Sequence, residues 1–472
     1  MLKFKPESQD QLMLLPPSIE DFIPDGHLSK VVYAVVDRLD TISIEKKYSY
    51  LGQKSYSPKL LLRLLFYGYA TGLRSGRRIA SACESDTAFM YLSSMHRPDF
   101  RTINDFRKDN IKFIQEAFVQ IVLICKELGM AKAGSIIIDS TKLKANANIK
   151  HSKTKEQYEA WLKQINTDIE KIILEASEND IKENEIYGEQ RGDELPKDLK
   201  NKVSLKKKIE QALSKFDNDT RRVNLEDPEA KLIKGPTGIN TNYNCQTAIS
   251  EDGIIVCAFA SDQASDRTET LNVINNIESN IAETVTDIIA DSGYASYQNY
   301  EELEQMGKTC YIPDQQLSHD LKQNNNQYHR NQFKYDVQTD TYICPQGKEL
   351  RYAYDNNDKR NKQKSRVYKC QECLNCKERL RCTKGKFRQI HRESREILRE
   401  SVRERLQTPT GKQKMIYRKS IESIFGNIKY NLGYRHLSLK GKAKATAEWQ
   451  LICLTQNIRK IHQNKVFSPI LN

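Results

Sequence analysis

Three acidic residues stand where they can act together. Ser135-Ile-Ile-Ile-Asp-Ser-Thr141 puts Asp139 at the end of an apolar, β-branched run, and Asp287-Ile-Ile-Ala-Asp-Ser-Gly-Tyr294 does the same for Asp291. Glu422 lies much later, in Arg418-Lys-Ser-Ile-Glu-Ser-Ile-Phe-Gly-Asn-Ile-Lys429, whose spacing predicts a helix. Either aspartate alone reads as a turn-former. The pair says more, because both follow isoleucine-rich runs and both precede serine. Glu422 falls between Ile421 and Ile424, on the apolar-leaning side of its helix, where a bare carboxylate is costly without a partner or a metal. Arg418 one turn before and Lys429 two turns after can orient the acid or hold a phosphate. Two aspartates leaving neighbouring strands and a glutamate on a packed helix can converge on two divalent ions. Oxygen ligands suit Mg²⁺, and two such ions can clamp the attacking and leaving oxygens of a phosphodiester. Without ions the acids repel one another, so at least one should show a raised pKa or pair with a cation such as Arg418 or Lys429.

A second constellation is made of thiols. Cys344 precedes Cys370, Cys373, Cys376 and Cys382 within 40 residues. The spacing Cys-x2-Cys-x2-Cys-x5-Cys favours a closed thiolate zinc site. Unbound thiols in a loop and an iron–sulfur cluster are the alternatives. Four ligands suffice and five are present. The same stretch carries charge: from Lys359 to Arg388 there are twelve Lys or Arg against only Glu372 and Glu378. Its densest run is Lys359, Arg360, Lys362, Lys364 and Arg366, and Tyr368 and Phe387 are interleaved with the cations. A phosphate backbone is the matching partner.

The elements that must position these groups follow from period and punctuation. Residues 1–132 read as a helical N-terminal domain. Ser57 caps a helix with Pro58 at its first position, and Ser75, Asp86 and Thr102 are further caps. A longer helix runs from Asn110 to Leu128. Between Ser75 and Lys108 a helix-turn-helix with Arg74, Arg77, Arg78, Arg101, Arg107 and Lys108 facing DNA and an ordinary basic bundle are equally compatible with the pattern. Residues 133–314 read as an α/β core, interrupted at 150–235 by a charged helical insert. The core order is strand, hairpin, helix, strand, helix, strand, with a mixed ribonuclease-H-like sheet as the predicted fold. Residues 315–405 form a basic, cysteine-rich insert. Residues 406–472 return to the core, with a helix after Gly411 that buries Ile416, Ile421, Ile424, Phe425 and Ile428, then a last helix from Ala443 to Ile461.

Bulk composition narrows the partners. The 472 residues carry a formal charge of +13, with pI near 9.0, which suits a polyanion. No apolar run approaches the roughly 18–20 residues of a spanning helix, and the N-terminus lacks a signal-peptide core. The expectation is a cytoplasmic protein with no membrane partner, whose 11 cysteines are thiols or ligands. Scattered histidines and the lack of a Gly-rich phosphate loop give no support to nucleophilic catalysis or to a nucleotide fold.

With these residues in view, the chain resembles the DDE transposases of bacterial insertion sequences, in the group whose last acid sits in an Arg-x3-Glu-x6-Lys helix. Arg418, Glu422 and Lys429 match that spacing, and Asp139 and Asp291 match the first two acids. Tyr243-Asn-Cys-Gln-Thr-Ala248 and Asp266 sit where the group has comparable strands, and Pro98-Asp-Phe-Arg-Thr-Ile-Asn-Asp-Phe-Arg107 extends the likeness into the N-terminal region. Met415 stands where the group usually has tyrosine, with Tyr417 nearby. The resemblance implies that Asp139, Asp291 and Glu422 hold two Mg²⁺ (or Mn²⁺) ions and that water cuts DNA at the element end. The freed 3′-hydroxyl then attacks target DNA with no covalent protein–DNA intermediate. It implies transposon-end and target DNA as partners and a homodimer on DNA. It also implies Cys344, Cys373, Cys376 and Cys382 as zinc ligands, with Cys370 spare. A hydrolysing ribonuclease-H-like nuclease and a transposase-derived DNA-binding protein are the rival readings.

Overall fold

Helix-start signals in the first third act largely where the sequence puts them. The computed structural model describes residues 18–48, 55–132, 134–187, 197–217, 220–235, 238–317, 320, 326–358 and 363–465. Seven helices come first: α1 (Leu28–Asp37), α2 (Ile42–Glu45), α3 (Pro58–Ala70), α4 (Gly76–Ser85), α5 (Thr87–Leu92), α6 (Phe100–Asp109) and α7 (Ile111–Glu127). Pro58 opens α3, and Asp86 caps α5 by accepting from the Ala88 and Phe89 amides. Thr102 does not cap α6. Asp99 does, accepting from Arg101 N at 2.7 Å from an extended backbone, so Thr102 falls inside the first turn.

The chain divides into two compact units. The first comprises Met1–Lys132, Ser140–Ala264 and Ser423–Asn472; the second comprises Ala133–Asp139 and Ser265–Glu422. Strand β1 (Ser135–Lys144) runs through both. In the first unit, β2 (Ser152–Lys153) pairs with β3 (Val223–Asn224). The charged insert forms α8 (Lys155–Tyr187) and α9 (Lys197–Leu213), which meet over Tyr158, Ile165, Ile209 and Ala212. β4 (Lys231–Gly235), β5 (Gly238–Ser250) and β6 (Ile255–Ser261) pair antiparallel, with the expected turn at Glu251–Gly253 between the last two. The C-terminal helix Lys442–Gln463 covers β6. Its buried Trp449 donates Nε1–H to Gln246 O at 3.2 Å. Buried Asn457 satisfies both ends of its amide on the Ile255 backbone, at 2.8 Å each. The same helix packs on α3 and α7, so the helical N-terminal region and the hairpin share one apolar core.

In the second unit β1 pairs parallel with β7 (Asp287–Ala290), and β7 pairs parallel with β8 (Thr309–Tyr311). α10 (Thr270–Ile281) and α11 (Tyr297–Gln305) are the intervening helices. Strand order along the mixed sheet is β4-β5-β1-β7-β8, with β6 on β5, and the chain order strand, hairpin, helix, strand, helix, strand is the one expected.

The cysteine-rich stretch was not expected to hold strands. It forms a five-stranded antiparallel sheet of β9 (Lys334–Asp336), β10 (Thr341–Ile343), β11 (Glu349–Asp358), β12 (Gln363–Lys369) and β13 (Gln389–Glu393), in the order β13-β12-β11-β10-β9. Two of these strands have three residues, too few to show a period. Their inward side chains Tyr342, Leu350, Tyr368 and Ile390, with Phe333 just before β9, form a small core of their own. Arg403, on the helix Glu396–Gln407, grips Asp314 at 2.6 and 2.7 Å and Asp320 at 2.8 Å. Among the described residues no helix is long and apolar enough to cross a membrane.

Candidate active site

The backbone register brings the first two acids together. Ile136, Ile137 and Ile138 of β1 pair with Ile288, Ile289 and Ala290 of β7, and all six side chains are buried. The next residue on each strand is Asp139 and Asp291. Parallel neighbours lie about 4.8 Å apart, so the two aspartates emerge side by side where the pairing stops. Asp139 does not end its strand, as the sequence suggested. β1 continues to Lys144, because Thr141 and Leu143 keep an alternating buried face beyond the point where β7 gives out. Asp291 does leave its strand. It caps a short 3-10 turn, Ser292–Tyr294, by accepting from Gly293 N at 2.8 Å. A Cβ on Gly293 would stand 2.8 Å from Asp291 Oδ1 and 3.5 Å from Asp266 Oδ2. The close approach of the Asp291 carboxylate therefore disfavours any side chain at 293, and Asp266 is a further acid at ordinary contact distance from that position.

Glu422 comes from the helix Pro409–Gly426. This helix was expected after Gly411 but starts earlier, at Pro409, with the Thr408 hydroxyl accepting from Gly411 N at 3.0 Å. Gly411 is inside the first turn: a Cβ there would lie 2.1 Å from Arg405 O. Two expectations about the buried face fail. Ile416 is 68% exposed, whereas Ile421, Phe425 and Ile428 are buried. The Glu422 side chain is 55% exposed, so water, rather than a buried partner, covers its desolvation cost.

Cations register this helix against the strands. Lys414 Nζ is 3.2 Å from Asp287 Oδ2, at the start of β7, and is bonded to the hydroxyl of Ser135, at the start of β1. One turn on, Arg418 Nη2 is 2.8 Å from Glu422 Oε1, and Nη1 is 3.9 Å from Asp139 Oδ2. The expected pairing of an acid with Arg418 is present. Lys414 was missed by sequence reasoning; its position one turn before Arg418 was the available signal. Lys429 lies in the first unit, in a π-helical turn Asn427–Asn431 that changes the helical phase after Gly426.

The donor chemistry suits a hard divalent ion: carboxylate oxygens on fixed strands, partly open to water. Among the described residues no three His, Cys, Asp or Glu side chains stand close enough to share one ion, and Arg418 supplies the positive charge between Asp139 and Glu422. The acids match such an ion in donor type, but as they stand they do not close around one.

The thiols are arranged differently. Cys344, Cys370, Cys373, Cys376 and Cys382 all line one cavity of about 20 Å³, with Phe333 and Leu350. Sγ of Cys344 accepts from Lys348 N at 3.3 Å, and Sγ of Cys373 from Arg388 N at 3.4 Å. Cys370 is not set apart: it is the most buried of the five. Burial, then the adjacent Cys373 thiol, pushes its pKa up to about 12. Among the described residues these thiols form no group closed enough to hold a metal as they stand.

The expected basic run divides. Lys359, Arg360 and Lys362 lie outside the described residues. Lys364 is exposed. Arg366 pairs with Asp340 at 2.8 Å and stacks over Tyr352 at 4.7 Å. In the first unit a cleft of about 780 Å³ gathers Lys142, Lys144, Lys429, Tyr430 and Arg435, and Arg435 stacks on the exposed Tyr430 at 5.1 Å. Period-two spacing of Lys142 and Lys144 just after Asp139 could have flagged it. In the N-terminal helices Arg77 and Arg101 flank Phe100 and are exposed. Arg107 is instead structural, bonded to the Tyr69 hydroxyl at 2.8 Å and to Arg74 O at 3.2 Å.

Two family models match the chain. The one described as a transposase DDE domain covers residues 343–462, and the one described as a transposase domain (DUF772) covers residues 17–109. No curated protein and no solved structure matches. The resemblance to DDE transposases of insertion sequences therefore stands on two separate segments, one containing Arg418, Glu422 and Lys429 and the other most of the N-terminal helices.

Proposed function

We propose that this chain, whose matched segments are those of a DDE transposase, cuts DNA at transposon ends and joins the freed 3′-hydroxyl to target DNA. The observation that carries the proposal is the Ile138–Ala290 register, which sets Asp139 beside Asp291, together with the Arg418 bridge from Asp139 to Glu422. A ribonuclease-H-like core is the fold implied by the DDE domain, and the strand order is compatible with it.

Asp139, Asp291 and Glu422 would hold two Mg²⁺ or Mn²⁺ ions, which when bound supply Lewis-acid stabilisation of the attacking and leaving oxygens. The rest falls to the chain's own groups. β1 and β7 fix the first two carboxylates against the sheet, so little reorganisation is left for the moment of reaction. Arg418 would neutralise phosphate at the scissile end. In the first reaction water adds to phosphorus and the element's 3′-oxygen leaves. In the second that oxygen attacks a target phosphate and displaces the target's own 3′-oxygen. One phosphodiester is made for each one broken, so joining needs no external energy source. Backbone binding would rest on the cleft lined by Lys142, Lys144, Lys429 and Arg435 and on the run Lys359, Arg360, Lys362, Lys364 and Arg366, with two copies of the chain holding the two ends. Zinc bound by four of the five clustered thiols, for which the resemblance favours Cys344, Cys373, Cys376 and Cys382, would close the small second core.

A strand-transfer assay tests the reading. A duplex with a pre-cut 3′-hydroxyl end, a target plasmid and Mg²⁺ should give joined products. Shortened DNA without joining would convert the reading to that of a nuclease, and binding without either reaction to that of a DNA-binding protein.

A further inference from the structure

Arg418 occupies an unusual place for a phosphate-binding residue, because its donors are already engaged by the acids. Nη2 lies 2.8 Å from Glu422 Oε1, Nη1 lies 3.9 Å from Asp139 Oδ2, and the arginine side chain is only 20% exposed. It cannot drift far. Lys414, one turn earlier, ties the same helix to Asp287 and Ser135, so the guanidinium is held at the level where β1 and β7 part. A guanidinium stays charged at any working pH, and its flat fork suits carboxylate and phosphate equally well. It cannot stay bonded to Asp139 and Glu422 while those oxygens surround a divalent cation, since the like charges would lie within a few ångströms of each other.

We propose that Arg418 is a resident counter-cation that yields its carboxylates to divalent ions only when a DNA phosphate is present to receive it. Ion binding and DNA binding then favour each other, and by linkage the coupling is reciprocal. Free protein binds ions poorly, and the full ion complement assembles on DNA. The inference rests on the assignment of Asp139 and Glu422 as ion ligands.

The test is Mn²⁺ binding to the full-length chain, followed by calorimetry. It is run with and without a duplex end terminated by a 3′-deoxynucleotide, so that no joining occurs. For the native chain the duplex should tighten Mn²⁺ about tenfold, within the usual span of coupling between sites. Arg418→Gln should bind Mn²⁺ about five- to tenfold more tightly than the native chain without DNA, and its gain on adding DNA should shrink to about twofold or less. Arg418→Lys keeps the charge and should stay near the native affinity. Equal or weaker Mn²⁺ binding by Arg418→Gln in the absence of DNA overturns the proposal. If that variant does not fold, the native chain still decides, because the absence of any DNA-induced tightening overturns it too. Asp139→Asn separates the two failures. If it leaves Mn²⁺ binding unchanged, the ion site itself is misassigned. If it abolishes Mn²⁺ binding while Arg418→Gln behaves as the native chain, only the counter-cation role falls.

Discussion

The acidic site and the cysteine cluster both belong to the second unit, and both present metal-ligand chemistry, yet they are assembled by opposite means. The acids stand on a register: buried isoleucines fix where β1 and β7 lie, and the carboxylates emerge where the pairing ends. They remain partly in water, and Arg418 balances Asp139 and Glu422. The thiols are gathered by apolar packing around Phe333, Leu350 and Tyr368, in a sheet too small to bury much else. Hard oxygen ligands can wait for an ion in water at little cost. For clustered thiols in so small a core, any bound metal would contribute folding free energy directly. The first site is therefore expected to fail in chemistry when altered, and the second in stability.

The largest effect should come from the acids. Asp139→Ala, Asp291→Ala or Glu422→Ala should each lower cleavage and joining by at least about 10³-fold, several kcal/mol of transition-state stabilisation. End-DNA binding in a mobility-shift assay should hold or rise slightly, since a negative charge near phosphate is removed. Full activity in Asp291→Ala would falsify the assignment.

A smaller change probes the same scaffold without touching a ligand. Gly293→Ala pushes a methyl to 2.8 Å from Asp291 Oδ1. Moving that carboxylate by about 1 Å should reduce activity by about 10²-fold. Thermal unfolding should barely change, because Gly293 is only partly buried. A variant with native rates would mean that Asp291 can shift freely.

On the other side of the comparison, replacing Cys373 and Cys376 with serine should release about one zinc per chain and lower the melting temperature by about 5 °C, with proteolysis concentrated at 340–385. Metal analysis that finds no zinc in the native protein, or the same zinc in the double variant, removes the structural-metal role.

The mildest expected change concerns salt. Neutralising Lys359, Arg360, Lys362, Lys364 and Arg366 should weaken binding to all DNA sequences alike and flatten the salt slope by about 0.9 per lost phosphate contact. Because Arg366 is engaged by Asp340 and Tyr352, its single variant should contribute least. An unchanged slope in the five-fold variant would turn this run toward solvent.

Much of the scaffold was legible because its signals are local. The isoleucine runs before Asp139 and Asp291, the Glu251-Asp-Gly253 turn, Pro58 at its helix start and the Asp86 cap each involve neighbouring residues and act where sequence puts them, although the Ser57 side chain makes no cap hydrogen bond. The Arg418–Glu422 pair is local too, since four residues on a helix make neighbours. What sequence could not fix is what depends on elements distant along the chain. That β1 continues past Asp139 was legible in the alternation of Thr141 and Leu143, but that β7 leaves it at Ile138 depends on the partner strand. The exposure of Ile416 and Glu422 depends on which helical face meets the sheet, and the start at Pro409 on the close approach of Arg405 to Gly411. The five-stranded sheet stayed hidden because β9 and β10 are too short to show a period and the polar, charged residues of β11 and β12 mask theirs. The sequence alone thus determined which residues could do the chemistry and which local elements carry them. Register and packing decided how the acids stand toward one another and toward Arg418, because those are sums of many long-range contacts that no single segment encodes.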